Sequence, residues 1–133
     1  SFMFMADLMK EINLSCETTF VKLASYHGGT ASSGNITEEL SIAMSLKNRD
    51  VIIVEDIIDT GRTLSFLIER IKALEPASIK IATLLLKPDA LTFDVGEIDY
   101  VGFEIANDFV VGYGLDYDGL GRNLKDIYRL CED

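Results

Sequence analysis

Val51-Ile52-Ile53-Val54-Glu55-Asp56-Ile57-Ile58-Asp59-Thr60-Gly61-Arg62-Thr63-Leu64 is the stretch on which the reading of this chain turns. Four apolar β-branched residues, Val51 to Val54, predict a short buried strand. Glu55 and Asp56 follow and predict an acidic loop, which continues through Ile57, Ile58 and a third carboxylate, Asp59. Thr60 to Thr63 then form a tight turn, with Gly61 permitting the close approach of a ligand. After it, Leu64, Leu67, Ile68, Ile71 and Leu74 recur at helical spacing. The order is therefore strand, acidic loop, glycine turn, helix. Open α/β sheets bind ligands where parallel strands end and helices begin. A helix start preceded by Thr60 and Gly61 offers free N–H groups to an anion. The adjacent carboxylates suit ribose hydroxyls, a hydrated Mg²⁺ or proton transfer.

Working outward, Pro76 stops the helix, and Ser78 to Leu86 predicts a second apolar strand. Strand, helix and strand make a βαβ unit with a parallel crossover. Upstream, Phe2 to Ile12 is apolar on most sides and predicts a largely buried helix. Thr18 to Tyr26 predicts a strand. His27 to Asn35 is small, polar and glycine-rich, and admits two readings: an unstructured connection or an active-site lid. Thr37-Glu38-Glu39-Leu40 resembles a short capped helical turn, and Asn48-Arg49-Asp50 a turn. Downstream, Tyr100 to Ile105 predicts a strand and Phe109 to Gly114 an extended segment. Leu124 to Cys131 fits either a helix or an edge strand. The alternation implies one α/β domain with a mostly parallel twisted sheet flanked by helices.

Composition narrows the function. The chain has 133 residues, 48% apolar and 26% charged, which fits one globular domain. Twelve basic against 22 acidic residues leave a net charge of −10. That field repels nucleic acid and anionic membranes, so neither is expected as a partner, and any phosphate ligand needs a local cradle. No apolar run reaches the ~18–20 residues of a membrane span. Cys16 and Cys131 lack metal-ligand spacing, which points to reduced thiols and a cytoplasmic protein. The motif is neither a Walker loop nor a dinucleotide fingerprint, since it has no Gly-Lys-Ser/Thr and no G-x-G-x-x-G. His27 is the only histidine, so no histidine-based metal site is expected.

Val54 to Thr63 resembles the phosphoribosyl-pyrophosphate (PRPP) motif of type I phosphoribosyltransferases. Its Glu55-Asp56-Ile57-Ile58-Asp59-Thr60-Gly61 form is similar to the hypoxanthine-guanine branch. Lys87, Val101 to Ile105, Phe109 to Tyr113, Leu115 to Tyr117 and Arg122 extend the resemblance in order, from about Ser1 to Tyr128. The resemblance implies a purine salvage transferase that moves the 5-phosphoribosyl group of PRPP to N9 of hypoxanthine or guanine, releasing pyrophosphate. It implies that Glu55 and Asp56 serve the ribose hydroxyls and Mg²⁺, and that Asp59 is the general base or acid at purine N7. Asp59, Thr60, Gly61, Arg62 and Thr63 would wrap the 5′-phosphate. Lys87 would donate to the exocyclic O6, Phe109 would stack on the base, and the Val110 backbone would read its edge. Asp116 would help hold a second Mg²⁺, and Arg122 would contact pyrophosphate. Ser25 and Tyr26 would open the mobile lid. A homo-oligomer, dimer or tetramer, is also implied.

In that family a Leu-Lys-Gly type pyrophosphate loop precedes the segment that begins here with Ser1-Phe2-Met3. The expectation is thus a domain over residues 1–133 lacking its N-terminal strand, that loop and part of the hood. Two other readings compete: a PRPP-binding regulator of the same fold without turnover, and a transferase preferring xanthine or a pyrimidine. Asp59, Lys87 and Phe109 favour the 6-oxopurine enzyme, because a PRPP sensor needs no purine pocket.

Overall fold

The computed structural model describes residues 1–25 and 36–131. Its centre is the expected βαβ unit: strand β3 (Asp50–Ile58), helix α2 (Arg62–Lys72) and strand β4 (Ser78–Leu86). Preceding them are helix α1 (Phe2–Glu11) and strands β1 (Lys22–Ser25) and β2 (Ile36–Leu40). A 3-10 turn (Pro88–Ala90) and strands β5 (Tyr100–Glu104), β6 (Val110–Val111) and β7 (Tyr128–Arg129) follow. Strands β3, β4 and β5 form a parallel sheet in that order, and β1–β2 and β6–β7 are antiparallel pairs.

The core lies between this sheet and α2. Leu64, Leu67, Ile68 and Ile71 are buried against Ile53, Ile58, Ile81 and Leu86, with Leu46 and Val95 closing the ends. Each such side chain contributes about 1.5–3 kcal/mol on removal from water. Leu74, the last of the expected stripe, lies beyond the helix and is 42% exposed.

Three expectations change. The strand does not end at Val54 before an acidic loop; β3 runs on through Glu55 and Asp56 to Ile58. Glu55 pairs in register with Thr83, Ile57 with Leu85 and Ile58 with Leu86, so the ladder continues beneath the carboxylates. Helix α1 forms one residue short of the expected end, but none of its residues is buried. Met3, Phe4, Met5, Leu8 and Met9 are half-covered while Phe2 is 54% exposed, because β3 and the Tyr113–Gly114 turn cover the helix only in part. Residues 37–40 are not a helical turn but part of β2, paired antiparallel with β1. A single helical turn fixes several residues for one hydrogen bond, so a ladder partner wins over a local capping signal.

The expected strand over 18–26 is confined to 22–25 within the described residues, and Tyr26 lies outside them. The ambiguous 124–131 segment supplies the short edge strand β7. Asn48 takes the left-handed conformation of a turn, φ 59°, as its sequence context suggests.

Candidate active site

The phosphate cradle is built from the β3–α2 turn. Gly61 sits at φ 82°, a conformation that favours glycine. A Cβ there would lie 2.9 Å from Leu91 Cδ1 and 3.0 Å from Val95 Cγ1, so the space is closed as well. The 91–95 connection props the turn from below. The Thr92 and Phe93 amides both donate to the Thr60 carbonyl at 3.0 Å, and the Arg62 guanidinium lies 6.0 Å from the centre of the Phe93 ring. Arg62 N–H donates weakly to Thr60 Oγ1 at 3.4 Å, and Ser65 N–H makes the first helical bond to Gly61 at 2.8 Å. The first-turn amides before Ser65 have no carbonyl partner within the helix. Residues 55 and 57–64 line a cavity of about 220 Å³ at this helix start. Backbone amides around a small cavity, at the positive end of a helix, fit one phosphate group.

The acid pair rides on β3 rather than on a loop. Successive strand residues face opposite sides, so Glu55 and Asp56 diverge from adjacent positions. Burial, and secondarily the Asp56 charge, push the Glu55 carboxyl up to about 7. Asp56 Oδ1 accepts from the Ile57 amide at 2.8 Å, and Oδ2 lies 3.1 Å from the Ser1 nitrogen. Glu55 also lines a second cavity of about 460 Å³, shared with Ser1, Thr63 and Arg122. Glu55, withdrawn from water beside the Asp56 charge, is the member of the pair that lines both cavities. Among the described residues, no cluster of three or more His, Cys, Asp or Glu could enclose a metal.

Register explains the next feature. Because Ile58 pairs with Leu86, the following residues, Asp59 and Lys87, leave the sheet side by side. The Lys87 amide donates to the Ile58 carbonyl at 3.0 Å. Lys87 is only 5% exposed, and its Nζ lies 3.0 Å from Asp59 Oδ2. The lysine that the sequence places at a strand end is thus a buried cation bonded to the acid of the central motif.

The remaining predicted residues sit in the 109–129 unit. Phe109 is 48% exposed and meets Tyr117 edge to face, with ring centres 5.5 Å apart. Val110 is half-buried and pairs with Arg129. Asp116 Oδ2 accepts from the Gly119 amide at 2.8 Å, and Oδ1 lies 3.0 Å from Arg122 Nη2. Arg122 Nη1 donates to the Gly114 carbonyl at 2.7 Å. Tyr113 ties this unit to α1: its hydroxyl donates to Asp7, which pushes the phenol up to about 12 and lowers the Asp7 carboxyl. The structure therefore brings Glu55, Thr63 and Arg122 to one cavity and Asp59 to Lys87, while Phe109 rests on Tyr117. Ser25 ends β1, and Tyr26, His27 and the rest of the expected lid lie outside the described residues.

Sequence reasoning missed the 91–95 prop and Tyr117. Leu91 and Val95 carried a signal, being apolar residues in what reads as a connection. Nothing local in the sequence marks Tyr117 as the partner of Phe109.

A parallel α/β sheet in which strand β3 carries a carboxylate pair into a glycine turn and a helix-start cradle is the architecture of a sugar-phosphate-binding transferase. In agreement, residues 1–118 match the family described as the phosphoribosyl transferase domain. The hypoxanthine-guanine phosphoribosyltransferase of Streptococcus pneumoniae is 50% identical over 133 residues, covering 100% of this chain and 73% of that protein. That of Streptococcus mutans is 46% identical over 130 residues, covering 98% and 72%. Among solved structures, a hypoxanthine phosphoribosyltransferase of Staphylococcus aureus superposes with TM-score 0.91 at 44% identity, covering 98% of this chain and 71% of that one. A hypoxanthine-guanine phosphoribosyltransferase of Bacillus anthracis, with HEPES in its active site, gives 0.89 at 37% identity, covering 98% and 76%. The chain belongs to the phosphoribosyltransferase family, in its hypoxanthine-guanine branch. Among the described residues, no helix is long and apolar enough to cross a membrane.

Proposed function

We propose that this chain transfers the 5-phosphoribosyl group of PRPP to N9 of hypoxanthine or guanine, giving IMP or GMP and pyrophosphate. The observation that carries this reading is the 3.0 Å Asp59–Lys87 pair at the open end of β3 and β4, beside the 220 Å³ cradle. A 6-oxopurine presents an acceptor at O6 and, in the reacting tautomer, a proton at N7. The pair supplies a donor for the first and a base for the second. An exocyclic amine at the same position would set a donor against the Lys87 ammonium, which has no acceptor to offer, a costly mismatch.

In this reading residues 59–63 hold the 5′-phosphate, and Glu55 and Asp56 accept from the ribose hydroxyls. N9 attacks C1′ as the C1′–oxygen bond to pyrophosphate breaks, its electron pair leaving with the pyrophosphate. Asp59 takes the N7 proton during that step. Phe109 stacks on the base and the Val110 backbone reads its edge, while Arg122 receives the pyrophosphate. Glu55 and Asp56 would hold one Mg²⁺ and Asp116 a second, which when bound would neutralise charge on the departing group. A PRPP-binding regulator needs neither the Asp59–Lys87 pair nor an aromatic platform, and the relatives named above are all transferases.

The test is to incubate the chain with PRPP, Mg²⁺ and hypoxanthine and to identify the product by mass and ultraviolet spectrum. IMP formed with equimolar pyrophosphate is expected. PRPP bound without any nucleotide formed would turn the reading to the regulator.

A further inference from the structure

Gly61 leaves the orientation of one cradle peptide open. Rotating peptide 60–61 changes ψ at Thr60 and φ at Gly61, and glycine accepts φ of either sign. One orientation presents the Gly61 N–H to the cavity bounded by residues 57–64; the other presents the Thr60 carbonyl, which repels a phosphate. Contacts from the 91–95 segment select the first. The Thr92 and Phe93 amides both donate to the Thr60 carbonyl at 3.0 Å and fill its two lone-pair positions. Neither residue lines the cavity, so the carbonyl points out of it. In a trans peptide the N–H lies on the side opposite the C=O, so the Gly61 N–H points in. Among the described residues that N–H has no acceptor. The two donors are themselves anchored. The Lys87 amide bonds the Ile58 carbonyl at 3.0 Å, and the Pro88–Ala90 turn carries the chain from there to Leu91. Leu91 and Val95 then close the space under Gly61.

We infer that the Thr92–Phe93 backbone is a positioning element for the 5′-phosphate. By holding the Thr60 carbonyl it fixes the Gly61 N–H as a phosphate donor before the ligand arrives. The inference rests on the role proposed above for residues 59–63, and it adds two residues that act through Gly61 rather than on substrate. A donor already in place lowers the ordering cost of binding. Linkage makes the effect reciprocal: a phosphate held by the Gly61 N–H strengthens the clamp on the Thr60 carbonyl.

The test titrates the full 133-residue chain, labelled with ¹⁵N, with ribose 5-phosphate and with ribose as the neutral counterpart. In the unaltered chain ribose 5-phosphate should move the Gly61 amide proton downfield, and ribose should not. Thr92→Pro removes one donor; Leu91, at φ −66° and ψ 116°, already has the extended conformation that a residue before proline needs. That variant should bind ribose 5-phosphate about three- to tenfold more weakly and show a smaller Gly61 shift at saturation. Thr92→Ala keeps the amide and should match the unaltered chain. A bond with a merely structural role would lower stability in urea and leave the saturated Gly61 shift unchanged. Equal affinity in Thr92→Pro and Thr92→Ala overturns the clamp. Hydrogen exchange tests it without any substitution. Ribose 5-phosphate should slow exchange at Thr92 and Phe93 more than at Ala77, whose amide bonds the Arg49 carbonyl at 2.8 Å away from the cradle. Equal slowing at the three amides also overturns the clamp. If ribose 5-phosphate leaves the Gly61 amide of the unaltered chain unmoved, the cradle assignment itself falls, and the clamp with it.

Discussion

The β3–α2 region and the 109–129 unit hold the two ends of one site by different means. The first is made rigid by a parallel ladder eight pairs long, a buried helix face and a glycine that nothing else can replace without strain. The second has strands of two residues, four left-handed glycines and large apolar side chains half in water. It is held by turns and by polar ties such as Tyr113 to Asp7 and Arg122 to Asp116. The difference divides labour. The rigid region places Asp59 and Lys87 to within a hydrogen bond of each other, the arrangement that the proposed chemistry at N7 and O6 would use.

Substitutions in the rigid region should therefore act on chemistry or on the fold, and substitutions in the lighter unit mainly on binding. The largest effect is expected for Asp59→Asn. It removes the base but not the cradle, so kcat should fall by about 10²–10⁴, while PRPP affinity, measured by calorimetry, stays within a few-fold. An equal loss of both would refute the acid–base role. Lys87→Gln should come next. Losing a charge-assisted hydrogen bond to O6 corresponds to about 1.5–3 kcal/mol, so the KM for hypoxanthine should rise by about one to two orders of magnitude. PRPP binding should be spared. Gly61→Ala tests the geometry beneath both. A side chain at φ 82°, pressed 2.9 Å from Leu91, should destabilise the fold by about 1–3 kcal/mol in urea unfolding.

The smallest effect belongs to the lighter unit and concerns pH. The Tyr113 phenol is raised from 10.0 to about 12 in the folded chain by its bond to Asp7. The neutral phenol is thus favoured by folding. Its contribution is fully present below pH 10 and is lost as the pH climbs towards 12. Tyr113→Phe should flatten the decline of stability across that window. Because both groups lie at the surface, the change should be slight, and a steeper decline would contradict the assignment.

The same contrast explains what could be read from sequence. Val51 to Val54, the Leu64–Ile71 stripe and Ser78 to Leu86 announce themselves because burial on a sheet or helix face imposes a period. The end of β3 did not, since Glu55 and Asp56 look like loop residues. They tolerate a strand because Glu55 lines a cavity and Asp56 accepts from the Ile57 amide. Residues 37–40 carried a helical signal that only a distant partner, β1, overrides. The apolar run of α1 suggested burial on most sides, yet β3 and the Tyr113–Gly114 turn cover it only in part. In the 109–129 unit, Phe109, Asp116 and Arg122 had no local pattern beyond order and resemblance. Their contacts with Tyr117, Gly119 and Gly114 arise from turns, which sequence period does not encode.

The most direct test of a 6-oxopurine site at the Asp59–Lys87 pair is the initial rate of pyrophosphate release from PRPP and Mg²⁺ with hypoxanthine, set against the rate with adenine. Release with hypoxanthine and essentially none with adenine is the predicted result. Equal rates with the two bases, or none with hypoxanthine, would contradict it.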